Sequence, residues 1–98
     1  MSEYRTSYRY ALAMIGVAEE MKKLDDVGRD FEYLDKLISS SRELLMFLKS
    51  PVVNKDKKKR AFDELLKGKV SEITQKFIVL LVTKGREGAL TEIIRQFN

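Results

Sequence analysis

The segment "QKFIVLLVTKG", residues 75–85, holds six consecutive apolar residues from Phe77 to Val82. Ser71 stands before it and Gly85 closes it, so its length predicts a helix rather than a strand. A helix that covers a core needs only one apolar stripe. Here Ile78, Leu81 and Val82 form one side and Ile73, Phe77 and Leu80 the side next to it. The question is what covers the second side.

Working outward, the rest of the chain also reads as helices. A first helix is predicted from about Ser7 to Lys23, followed by "LDDVG", with Asp25 or Asp26 placed to cap a second helix that runs to about Ser39. Val27, Phe31, Leu34 and Ile38 line one face of that helix. Ser40 and Glu43 have capping-box spacing, starting a short third helix with Leu44, Leu45, Phe47 and Leu48. Pro51 ends it, and Asn54 is the candidate cap of a fourth helix. There Ala61, Phe62, Leu65 and Leu66 are expected inward and the lysines outward. Gly68 ends the fourth helix. After "GREG", a sixth helix from about Ala89 carries the stripe Leu90, Ile93, Ile94 and Phe97. No run of alternating β-branched residues between turn dipeptides suggests a strand. Short turns between six helices predict an all-α chain, a compact six-helix bundle forming a single domain over residues 1–98.

Composition narrows the chemistry. The chain has 98 residues, 35% of them charged and 44% hydrophobic, and contains neither cysteine nor histidine. Disulfides, thiol catalysis, the usual zinc sites and imidazole acid/base chemistry are thereby excluded. No cofactor is expected. No stretch approaches the ~20 apolar residues of a membrane span, so the chain reads as soluble. "ALAMIGVA", residues 11–18, imitates the core of a secretory signal, but Tyr8 and Tyr10 interrupt its start and "EEMKK" continues the same helix.

Two further functional readings arise from charge. The net charge is +4, with a dense cluster at "KDKKKR", residues 55–60. Lys55, Lys57, Lys58, Lys59 and Arg60 could bind phosphates in a small nucleic-acid-binding module, although no stacking platform or recognition-helix motif accompanies them. The plainer reading is the solvated face of the fourth helix. An enzyme would need a convergent polar site. Asp25, Asp26 and Asp30 are the nearest approach to one, and helix-end capping accounts for them more simply.

The first helix shares the surplus seen in the fifth. Ala11, Ile15 and Ala18 make one stripe, and Tyr10, Ala13, Met14 and Val17 make another displaced around the axis. Either these two helices are central and wrapped by the other four, or they lie side by side and expose an apolar groove. Monomers seldom leave such a groove uncovered unless something binds there. Ala11, Ala13, Gly16 and Ala18 would let another helix approach closely, or would serve packing between helices one and five themselves.

Three motifs in order carry a family resemblance. "YRYALAMIGVAEEMKKLDDV", residues 8–27, resembles the opening of the delta subunit of bacterial F-type ATP synthase, whose mitochondrial counterpart is the oligomycin-sensitivity-conferring protein. "FLKSPVVNKDKKK", residues 47–59, is similar to that family's Ser-Pro turn, here Ser50-Pro51. "FIVLLVTKGREGALTEIIRQF", residues 77–97, resembles its last two amino-domain helices with a Gly-Arg turn at Gly85-Arg86. The lysines at 57–59 are denser than the family pattern.

The resemblance implies a noncatalytic stator domain that sits on the catalytic head and binds the amino-terminal helix of an alpha subunit between its first and fifth helices. Carried onto this sequence, the groove would be lined by Tyr10, Ala13, Met14 and Val17, and by Ile73, Phe77, Leu80 and the stem of Lys84. A second, carboxy-terminal domain, beyond these residues, would join the b subunit of the peripheral stalk. The resemblance also implies a place on the cytoplasmic, inner face of a bacterial plasma membrane, reached only through the complex, with an organelle matrix or stroma as the alternative. No nucleic acid is expected as a partner.

Overall fold

In the computed structural model, which describes residues 2–97, α1 (Ser2–Glu20) packs most extensively on α6 (Leu90–Phe97). Between them in sequence lie α2 (Leu24–Ser40), α3 (Arg42–Lys49), α4 (Lys55–Leu66) and α5 (Glu72–Thr83), with a 3-10 turn at Glu87–Ala89 leading into α6. Six helices and no strand among the described residues make the all-α bundle that periodicity predicts. The helix α1 begins earlier and ends earlier than its apolar pattern suggests. It stops because Lys22 takes φ 57°, while Lys22 N–H donates to Glu19 O and Lys23 N–H to Ala18 O, closing a Schellman motif without glycine. Gly85, at φ 70°, closes α5 in the same way, with Arg86 N–H donating to Leu81 O at 2.7 Å.

The core is built from the predicted stripes. Val27, Phe31, Leu34 and Ile38 of α2 are buried, as are Leu90, Ile93 and Ile94 of α6 and Ile78, Leu81 and Val82 of α5. Phe31 joins two sides of this core, its ring centroid 4.6 Å from that of Phe97 and 5.9 Å from that of Phe77. Such offset and edge contacts add to the area term of burying the rings. Two stripes are narrower than expected. On α3 only Leu48 is fully buried, and on α4 Leu65 lies exposed while Phe62 and Leu66 point inward.

Helix ends differ in detail from the sequence reading. Ser41, not Ser40, caps α3, accepting from Leu44 N–H at 3.1 Å, and Ser40 instead donates to Leu37 O within the last turn of α2. No side chain caps α2. Asp25 and Asp26 sit inside its first turn, where negative charge suits the helix dipole, and Asp26 pairs with Arg29. Asn54 caps α4 as expected, accepting from Lys57 N–H at 2.8 Å.

Candidate functional site

The helix α5 is not wrapped on all sides. It packs mainly on α4, and α1 packs mainly on α6, so the backbones of α1 and α5 make few close approaches. A groove of about 650 Å³ runs between them. Tyr10 and Ala13 also border a space walled by Arg86, just past the end of α5 at Thr83. The Tyr10 end of the groove therefore lies toward the carboxyl end of α5, and the two helices run in opposite senses along it. From Tyr10 to Met21 the helix rise gives a length of roughly 16 Å, about three turns.

The floor and walls come from different faces of these helices. Met14 and Phe77, at 3% and 8% exposure, form a sealed floor, with the Tyr10 ring set edge-on to Phe77 at 6.3 Å. Ala13, Val17 and Leu80 stand open to solvent as walls, Leu80 at 43% exposure and Val17 at 45%. Tyr10 and Ile73 are half-buried. Seven of the eight residues singled out from the sequence thus line one channel. Lys84 lies beyond it: α5 ends at Thr83, Lys84 is its cap, and the chain turns away at Gly85.

Sequence reasoning did not single out Met21, Lys23, Ser71, Glu72 and Lys76, which complete the lining at one end. Met21 was findable, because it lies one turn after Val17 and two after Met14 on the same stripe. The small residues divide by face. Ala11 and Ala18 are buried and let α1 sit close to the bundle, Ala13 lines the groove, and Gly16 is exposed with open space around it.

The end of the groove near Ser71 is held by a polar junction. The Asp30 carboxylate of α2 accepts from Ser71 N–H at 3.0 Å, from the Ser71 hydroxyl, and from the Thr74 hydroxyl at 2.7 Å. Asp30 therefore caps α5 from a neighbouring helix and ties α2 to it. This disposes of the acidic cluster as a reaction centre. Asp30 serves the α5 terminus and Asp26 pairs with Arg29 on its own helix, so the carboxylates do not converge.

The basic run is equally divided. Lys58 is 2% exposed, and its Nζ donates to Leu48 O at 3.0 Å, to Ser50 O at 2.7 Å and to Glu87 Oε2 at 2.6 Å. That corrects the expectation that every lysine of α4 faces water. The signal was present in the spacing, since Lys58 precedes Phe62 and Leu66 at four-residue intervals on the buried face. Lys55 Nζ donates to Thr83 O at 3.0 Å, at the carboxyl end of α5. Two of the five cations proposed for phosphate contacts are thus engaged within the fold, which leaves no continuous basic stripe.

A family model described as "ATP synthase delta (OSCP) subunit" matches residues 6–98. The chain belongs to the ATP synthase delta (OSCP) subunit family. It is 40% identical to ATP synthase subunit delta of Chlorobaculum tepidum over all of its 98 residues and 54% of that relative's length. Against the subunit delta of Chlorobium phaeobacteroides it is 41% identical over the same span, again 54% of the relative. Identity to that of Clostridium botulinum is 38% over 90 residues, 92% of this chain and 50% of the relative. The chain spans about half the length of these OSCP-family relatives. No helix among the described residues is long and apolar enough to cross a membrane.

Proposed function

We propose that this chain is a noncatalytic stator domain of an F-type ATP synthase, and that its groove holds the amino-terminal helix of an alpha subunit. Family membership supports the peripheral-stalk role. The open apolar channel between α1 and α5 is the observation that carries the docking mode. Its length, about three turns, suits a helix presenting anchors at i, i+3, i+4 and i+7. Leu80 and Val17 are each nearly half exposed, so covering them recovers a part of the ~1.5–3 kcal/mol that full burial of such a side chain yields. Only the surplus over ordering costs appears as affinity.

Held in this way, the domain would tether the catalytic head so that it does not turn with the central shaft. Contact with the b subunit belongs to the part of the relatives' length outside these 98 residues. The site would be the face of the head, and association with the membrane would come only through the complex.

Titration calorimetry with the alpha subunit's amino-terminal peptide tests the reading. The wild-type chain should bind, and Ala13→Asp and Leu80→Asp should each lose binding while circular dichroism shows an unchanged fold. Retained binding in both variants would place the partner elsewhere.

A further inference from the structure

Resting on the groove as a helix site, a second feature concerns which way round the helix lies. Beyond Tyr10 and Ala13, which the two spaces share, the groove continues into a cleft of about 350 Å³ whose other walls are Thr6, Arg9 and Arg86. Both arginines are exposed, and among the described residues neither has an acidic partner.

The opposite end is electrically different. There Lys76 is 3.1 Å from Glu72, and Lys23 is 3.9 Å from Asp26. The positive charge at that end is already offset within the chain, and the charge at the Arg9/Arg86 end is not. The field along the groove is therefore lopsided.

Arg86 is also held in place. Its N–H donates to Leu81 O at 2.7 Å, Gly85 before it takes φ 70°, and Glu87 after it is locked by Lys58 at 2.6 Å. A guanidinium on so fixed a backbone loses less freedom on pairing, and its planar fork matches a carboxylate.

We propose that the cleft between Arg9 and Arg86 is the polar end of the groove and takes a carboxylate at one end of the docked amphipathic helix, so setting its direction and register. The occupant is a helix with an apolar ridge and an acidic side chain just past that ridge. A reversed helix would leave that carboxylate at the Ser71 end, where Lys76 is already paired with Glu72 and Lys23 lies beside Asp26, so it would find no unpaired cation there. The pairing lies at the rim of the apolar contact, so it acts on association rate and orientation as well as on affinity.

The test compares the alpha subunit's amino-terminal peptide with a form in which its acidic residues are replaced by lysine. Each is titrated against the wild-type chain, the Arg9→Glu/Arg86→Glu double variant, and Lys36→Glu as a distant change on the outer face of α2. Wild-type chain and natural peptide should bind. The double variant should weaken that binding tenfold or more, the lysine peptide should bind the double variant at least tenfold better than the natural one does, and Lys36→Glu should change affinity less than threefold.

A double variant that binds the natural peptide as wild type does, or that gains nothing from the lysine peptide, overturns the cleft assignment and leaves the groove standing. An equal loss from Lys36→Glu does the same, because net charge alone would then explain it. Absence of binding to the wild-type chain overturns the groove and the cleft together.

Discussion

Lys58 and Glu87 set the geometry at the Arg86 end of the groove through a buried ion pair. Lys58 satisfies a carbonyl in the last turn of α3, a carbonyl of the α3–α4 connection and one carboxylate oxygen at once, while Glu87 Oε1 is buried with no hydrogen-bond partner among the described residues. Truncating the lysine would strand the carboxylate and both carbonyls. Lys58→Ala is expected to cost ~3–5 kcal/mol, read as a lower urea midpoint. A backbone effect of opposite sign is expected at Lys22, which takes a left-handed conformation that disfavours a side chain. Lys22→Gly should raise stability by ~1 kcal/mol in the same urea assay, and an unchanged or lower midpoint would contradict that. Neither residue stands out in the sequence. A buried lysine looks like its exposed neighbours Lys57 and Lys55, and only its register with Phe62 and Leu66 separates it. Ser40 and Ser41 present the same hydroxyl one residue apart, so the cap between them depends on where α2 runs out.

At the scale of elements, α5 explains why the fold was largely readable and its site partly so. Periodicity separates Ile78, Leu81 and Val82 from Ile73, Phe77 and Leu80 without any coordinates. It cannot say whether the second face meets another helix of the same chain or solvent, because that depends on how far α1 and α5 are held apart. Here α4 and α6 take their packing partners' places, and Asp30 pins the start of α5 to α2. Lys84 shows the limit from the other direction: it is in phase with the groove face, but the helix ends before it. The two faces should respond differently to the same charge. Ile78→Asp, at 1% exposure, should cost more than ~4 kcal/mol, a large share of the ~5–15 kcal/mol typical of such a domain. Leu80→Asp should cost under ~1 kcal/mol. Thermal unfolding of both variants checks this, and comparable losses would put Leu80 in the core.

For the whole molecule, a bundle with extents of 36 × 34 × 24 Å leaves one long side of two helices unpartnered. The apolar surplus that posed the question in residues 75–85 is resolved by a floor that the chain seals itself and walls that it does not. A helix laid in the channel would complete the packing, and a ligand that binds only the folded state stabilises it by ~2.7 kcal/mol at a hundred times its dissociation constant. The most direct measurement is the map of backbone amide shifts in a 15N-labelled chain as the alpha subunit's amino-terminal peptide is added. The account predicts that the shifts concentrate at Ala13, Val17, Ile73 and Leu80, with Lys57 and Arg60 on α4 unmoved. Shifts centred on α4, or none along α1 and α5 at saturating peptide, would contradict it.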